Sequence, residues 1–155
     1  MPRVMQIKNS GTVTLAYTVD SAVGPGCPNQ RPEVLLVQHL LRLAWNDVPT
    51  SRGFRPPGET KPLNVDGLYG PTTQRFIKFF QEEAKRRGAN VLLDGKVDPV
   101  LSGGPQGSIS HSYYTALAMN AARNNRCPLQ ADISADPNFP AELLRHFFVD
   151  YAQRL

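Results

Sequence analysis

Residues 66–81 read DGLYGPTTQRFIKFFQ, and this stretch decides the fold. Asp66-Gly67 is a strong turn signal, because aspartate bonds nearby backbone amides and glycine accepts a positive φ. Gly70-Pro71 then marks a helix start, since proline at the first helical position loses no hydrogen bond. Apolar side chains follow at the spacing of an amphipathic helix, namely Phe76, Ile77, Phe79, Phe80 and Ala84. The stretch therefore predicts a tight loop that leads directly into an amphipathic helix.

Apolar periodicity predicts four helices in all, which makes the chain mostly α. They are expected at Pro32–Asn46, Pro71–Arg87, Ser110–Asn125 and Pro140–Leu155. Gly88 suits the left-handed position that ends the second of these helices. The polar stripe of the first helix is predicted to consist of Gln38, His39, Arg42 and Asn46. The last helix has an apolar face that is expected to dock on the core or on a partner.

The N-terminal region predicts a β-hairpin. Val4–Lys8 and Thr12–Val19 are strand-like runs that flank a turn containing glycine. We divide the chain into a hairpin and loop (1–29), a helical core (30–126) with an insertion at 100–109, and a C-terminal extension (127–155) that carries helix 140–155. The loop at 47–64 is long enough to suggest a functional role, with Arg55 at the edge of a binding groove.

Composition limits the classes of function. The 155 residues are enough for one domain with appendages, and the net charge is +4. That charge is compatible with an anionic partner, but it is dispersed and no recognised nucleic-acid-binding motif is present, so no nucleic-acid partner is predicted. No apolar run approaches the roughly 18 residues that span a membrane. The N-terminus lacks the apolar core of a signal peptide, which leaves a non-classical route to the cell envelope and a cytoplasmic location as alternatives.

Sequence patterns for catalysis are weak. Neither a G-x-S-x-G elbow nor an H-E-x-x-H pair occurs. Asp66 and Asp94 are better explained as turn residues than as a hydrolytic carboxylate pair. Cys27 and Cys127 either form a disulfide or remain two reduced thiols, and the sequence decides neither. We therefore predict a protein that is not an enzyme and that uses no metal or cofactor.

The central pattern D-G-x-Y-G-P-x-T-x-x-x-[VI]-x-x-F-Q resembles that of the peptidoglycan-binding-like domain, a three-helix module of bacterial and phage cell-wall hydrolases. The matching residues are Asp66, Gly67, Tyr69, Gly70, Pro71, Thr73, Ile77, Phe80 and Gln81. Phe76 departs from the usual alanine. The family's L-Q-x-x-L core resembles residues 37–41 here, and its second Asp-Gly loop resembles residues 93–99, with Asp98 in place of glycine. The resemblance covers roughly residues 30–125.

The resemblance implies non-catalytic binding of peptidoglycan, through its glycan strand or its stem peptide, for targeting or anchoring. The candidate ligand-binding residues are Tyr69, Arg75, Asp66, Trp45 and Arg55. Tyr69 would stack on a sugar or stem peptide, and Arg75 would pair with a carboxylate. Further partners would be a separately encoded cell-wall enzyme or a secretion-system protein. The alternative is a protein–protein interaction module with the same fold in a secretion or phage-like assembly, which the hairpin and last helix motivate.

Overall fold

The computed structural model describes residues 1–9, 12–45, 53–101, 112, 114–124 and 133–145. This part of the chain is mostly helical and carries one two-stranded antiparallel sheet, as predicted. The strands are β1 (Arg3–Asn9) and β2 (Thr12–Thr18), and the helices are α1 (Arg31–Trp45), α2 (Pro71–Arg86) and α3 (Thr115–Asn124). A short 3-10 turn follows at Ile133–Ala135.

Helix α1 lies at the centre of the core. Most of its residues from Glu33 to Leu41 are fully buried, and it packs on both α2 and α3. The predicted polar stripe is wrong at two positions, because Gln38 and His39 are buried. His39 lies edge-on against the ring of Phe139, with a centroid distance of 5.2 Å. Gln38 is buried because it bonds a neighbouring loop, as described below.

Helix α2 is amphipathic, as its spacing predicts. Phe76, Ile77 and Phe80 are fully buried on its inner face. The helix ends at a glycine with φ of +101°, which confirms the expected role of Gly88. The Gly88 N–H donates to the Lys85 carbonyl, and the Ala89 N–H donates to the Ala84 carbonyl. These two bonds make a Schellman motif that satisfies the last carbonyls of the helix.

The hairpin packs on α3. Its register pairs Arg3 with Thr18 and Asn9 with Thr12, which confirms the predicted hairpin. The side chain of Asn120 in α3 bonds the backbone of Tyr17 in β2. Its Oδ1 accepts from the Tyr17 N–H at 2.9 Å, and its Nδ2 donates to the Tyr17 carbonyl at 2.7 Å. One amide thus fixes the sheet to the helical core.

The C-terminal extension is described in part. Residues 141–145 are helical, and Leu143 is fully buried in the core. The remainder of the predicted helix at 140–155 lies outside the described residues, as do Cys127, most of the insertion at 100–109 and the start of the predicted third helix. Cys27 carries a free thiol.

Candidate binding site

The first Asp-Gly loop, residues 64–68, is held by the buried side chain of Gln38. The Gln38 Oε1 accepts from the backbone N–H groups of Asp66 (3.1 Å) and Gly67 (2.8 Å). Its Nε2 lies within 3.1 Å of three acceptors, the Asp66 carboxylate, the Leu68 carbonyl and the Thr73 hydroxyl. The amide thus joins α1, the loop and the first turn of α2, and it fixes the angle at which α2 leaves the loop.

The second Asp-Gly loop, residues 94–97, repeats this arrangement around Gln81. The Gln81 Oε1 accepts from the Gly95 N–H at 2.8 Å. Its Nε2 lies within 3.3 Å of three acceptors, the Asp94 carboxylate, the Lys96 carbonyl and the Thr115 hydroxyl at the start of α3. The sequence suggested a duplication of the Asp-Gly loop alone. The hydrogen bonds extend that duplication to a glutamine before each loop and a threonine after it.

Different contacts stabilise the two loops from outside. At the first loop the Arg31 guanidinium donates to the Asp66 carbonyl at 2.6 Å. At the second loop the contact is backbone to backbone, because Val23 and Val97 exchange two hydrogen bonds of 3.1 and 2.8 Å. This bridge brings the backbone of Gly24 against that of Gly95 and Lys96. The first loop therefore depends on a flexible side chain, whereas the second depends on a fixed chain segment.

A surface groove lies between α2 and the loop that precedes it. Its volume is about 470 Å³, and it is lined by Pro56, Pro57, Pro71, Gln74, Arg75, Lys78, Phe79 and Glu82. Arg75 forms an ion pair with Glu59, a residue of the same long loop. Lys78 is exposed and forms no ion pair with any described residue. The groove thus combines proline and phenylalanine surface with an amide, two cationic groups and the carboxylate of Glu82, and one of the cations, Arg75, is already paired with Glu59.

Arg75 is the one predicted ligand-binding residue that lines the groove. Trp45 is 6% exposed, and its ring stacks on Phe76 with centroids 5.9 Å apart. The Arg55 guanidinium lies 5.2 Å from the Trp45 ring centroid, and its Nε donates to the Trp45 carbonyl. Arg55 therefore covers a core aromatic ring by a cation–π contact beside the groove. Arg87 covers the ring of Phe54 in the same way.

Asp66 and Tyr69 lie in and beside the first loop. The Asp66 carboxylate accepts from the Leu68 N–H at 2.9 Å, and this bond, together with those from Gln38 and Asn64, lowers the pKa of Asp66. Tyr69 is half-buried, and burial raises the pKa of its hydroxyl, as does the nearby Cys27 thiol. Asp66 thus has a structural role in the turn. Ligand binding by Tyr69 stays a prediction.

Sequence reasoning missed most of the groove. Lys78 and Phe79 follow Arg75 at helical spacing on the outer face of α2, so the amphipathic pattern contained the signal. Pro56, Pro57 and Glu59 lie in the long loop, and nothing in the sequence predicts that they face α2. Gln38 carried a different signal. Like Gln81, it follows a buried apolar residue on a helix that precedes an Asp-Gly loop, although it lies 28 residues before Asp66 and Gln81 lies 13 residues before Asp94.

Two further features, a cluster of metal-ligating side chains and a membrane-spanning helix, are absent from the described part of the chain. Within those ranges, no three His, Cys, Asp or Glu side chains come together as a metal site would need. The described helices are also too short or too polar to cross a bilayer. Comparison with known proteins found no family model, no curated protein and no solved structure that matches the chain. Function therefore has to be argued from the groove and the loops themselves.

Proposed function

We propose that this protein is a non-catalytic module that binds bacterial cell-wall peptidoglycan through the groove on α2. The observation that carries the proposal is the groove itself, whose first residue on α2, Pro71, lies three residues after the first Asp-Gly loop. It lies on the helix whose sequence carries the resemblance to peptidoglycan-binding-like domains. Three-helix packing of the peptidoglycan-binding type is part of the same proposal.

The chemistry of the groove supports such a ligand. Peptidoglycan offers sugar hydroxyls, peptide amides and free carboxylates. Arg75 and Lys78 supply donors and positive charge for carboxylates, and Gln74 supplies an amide for peptide groups. Phe79 and the two prolines supply apolar surface for sugar or side-chain carbon. The ion pair with Glu59 holds the Arg75 side chain at the groove before a ligand arrives.

The rigid frame around the groove also supports binding. Gln38 fixes the first turn of α2 through Thr73, and Pro71 lines the groove in that same turn. A site built on a fixed helix loses less conformational entropy on binding than a site on a mobile loop. The proposal is limited to targeting or anchoring.

Co-sedimentation with purified peptidoglycan sacculi tests the proposal. We expect the full chain to bind, and we expect binding to persist when salt rises from low to moderate concentration. Exposed charges alone are screened within about 10 Å at 0.1 M salt, so binding by net charge would disappear. Arg75→Ala should weaken binding about threefold to tenfold, the range for losing one charged hydrogen bond at an exposed site.

Lys85→Ala is the matched control. Lys85 is exposed on α2, one turn beyond the groove, and its loss lowers the net charge by the same amount as loss of Arg75. The control should bind sacculi like the wild type. Absence of binding at either salt concentration would reject the proposal and favour the protein–protein interaction module. Equal weakening by Arg75→Ala and Lys85→Ala would reject the groove as the site.

A further inference from the structure

Helices α2 and α3 occupy equivalent places in the duplicated arrangement. Each helix follows an Asp-Gly loop that is bonded by a buried glutamine. A threonine in the first turn of the helix bonds the same glutamine, Thr73 with Gln38 and Thr115 with Gln81. Aligning the two threonines aligns the helices. Ile77 then matches Met119 and Phe80 matches Ala122, and all four are buried. The two helices thus turn the same face towards the core.

The alignment also relates the groove to a surface that is already covered. Arg75 and Lys78 of α2 match Leu117 and Asn120 of α3, while Gln74 matches Ala116. All three α3 residues are buried on a helix that packs on both α1 and β2, and Asn120 bonds β2 directly. Their counterparts on α2 line the groove instead. At Lys78 the groove is therefore the uncovered equivalent of the position, Asn120, that bonds an extended segment in the other half of the molecule. Phe79 of the groove matches Ala121, which is exposed on α3.

The covered face shows how an extended chain is recognised there. The Asn120 amide accepts from the N–H of Tyr17 and donates to its carbonyl. A primary amide can bond a peptide backbone in this way because it carries both a donor and an acceptor. In the groove the corresponding chemistry comes from Gln74, whose side-chain amide bonds no described residue. Lys78, at the position of Asn120, adds a positive charge that the α3 face lacks.

We propose that the groove binds an extended peptide that carries carboxylates, and that its ligand is the stem peptide of the wall and not the glycan strand. This inference rests on the proposed peptidoglycan-binding function. Gln74 bonds a peptide group of the ligand as Asn120 bonds Tyr17. Arg75 and Lys78 pair with its carboxylates, since the peptide stems are the part of the polymer that combines amides with free carboxylates at close spacing.

Separating the two parts of the polymer tests the inference. Sacculi digested with an amidase yield soluble stem peptides and peptide-free glycan chains, and the affinity of the full chain for each can be measured by calorimetry. We expect the stem peptides to bind and to displace the protein from intact sacculi, and the glycan chains to do neither. Gln74→Ala and Lys78→Ala should each weaken peptide binding about threefold to tenfold. Lys85→Ala should leave it unchanged.

The outcomes separate this inference from the proposed function. Binding of glycan chains without binding of stem peptides would overturn the inference and leave wall binding intact. Failure to bind sacculi at all would overturn both. An equal affinity for an unrelated acidic peptide of the same length and charge would assign the groove to protein segments, and would also overturn the stem-peptide ligand. Stem-peptide binding that Gln74→Ala and Lys78→Ala leave unchanged would place the peptide elsewhere on the protein.

Discussion

The two Asp-Gly loops share one internal design and differ in what stabilises them from outside. In each, a buried glutamine amide bonds the loop backbone, the loop aspartate and a threonine of the next helix. The first loop is then contacted by the Arg31 side chain and the second by the backbone at Val23. The region with the side-chain contact borders the open groove, and the region with the backbone bridge borders the covered helix.

The difference shows how a duplicated unit can acquire two roles. In the second half, the chain before α1 and the hairpin occupy the surfaces beside the loop and on α3, so this half stabilises the molecule. In the first half the equivalent helix face stays accessible and polar. We expect changes at the second half to act mainly on folding, whereas changes on the exposed face of α2 act on binding.

Removing the glutamines should have the largest effect on stability. Gln38→Ala removes the acceptor of the Asp66 and Gly67 N–H groups, and each such loss costs about 1–3 kcal/mol. We expect the free energy of unfolding to fall by about 3 kcal/mol in Gln38→Ala, and somewhat less in Gln81→Ala, whose Oε1 accepts from a single backbone N–H. Urea unfolding measures both losses.

Gln74→Ala provides the control for these variants, because Gln74 is a partly exposed glutamine on α2 outside either network. Its effect on unfolding should stay within about 0.5 kcal/mol, as for surface substitutions in general. If Gln38→Ala and Gln81→Ala also lowered the free energy of unfolding by no more than about 0.5 kcal/mol, the two glutamine networks would not stabilise the loops.

The external contacts should have intermediate and unequal effects. A Cβ at Gly24 would lie 2.8 Å from the Gly95 carbonyl oxygen, and one at Gly67 would lie 2.8 Å from the Arg31 guanidinium. Backbone cannot move away as a side chain can. We therefore expect Gly24→Ala to cost about 2–3 kcal/mol of unfolding free energy and Gly67→Ala about 1–2, since a residue with positive φ also pays about 1 kcal/mol of strain.

Gly88→Ala isolates the strain, because φ is +101° there and no atom lies within 4 Å of the added Cβ. Thermal unfolding of the three variants compares them directly. If Gly24→Ala costs no more than Gly88→Ala, the backbone contact at the second loop is unimportant, and the comparison between the loops fails.

The pH dependence of Asp66 should be the smallest effect. Its pKa is lowered in the folded protein, so the ionised form stabilises the fold at pH values above the unfolded pKa, near 3.9. That contribution disappears as the pH falls through the folded pKa. We expect wild-type unfolding free energy to decline more steeply than that of Asp66→Asn between pH 6 and pH 3. Parallel curves would show that the hydrogen bonds to the carboxylate contribute nothing.

The sequence predicted those parts of the fold that are determined by residues close together in the chain. The strand-like runs of the hairpin, the Pro71 start of α2 and the Gly88 end each depend on neighbouring residues, and the structure confirms all three. Gln38 and His39 were assigned to solvent because a polar side chain on a helix usually faces water. Their burial depends on partners that are distant in sequence, which a helical pattern does not contain.

The candidate site was predictable only in part, for the same reason. Arg75 was identified because it lies beside a recognisable motif. The groove also needs Pro56 and Pro57, and the path of their loop over α2 follows from packing of the whole core. Trp45 was proposed as a ligand-binding residue, but it stacks on Phe76 under Arg55, since a large ring at the end of a buried helix face is best placed inward.

The bonds of the Asn120 amide also affect the tendency of the protein to aggregate. A two-stranded sheet has two open edges, and unpaired backbone groups on an edge invite strands of other molecules to pair with them. Asn120 occupies both backbone groups of Tyr17 on β2. A single side chain thereby closes that edge near the C-terminal end of β2 and removes one pair of backbone groups from edge-to-edge pairing.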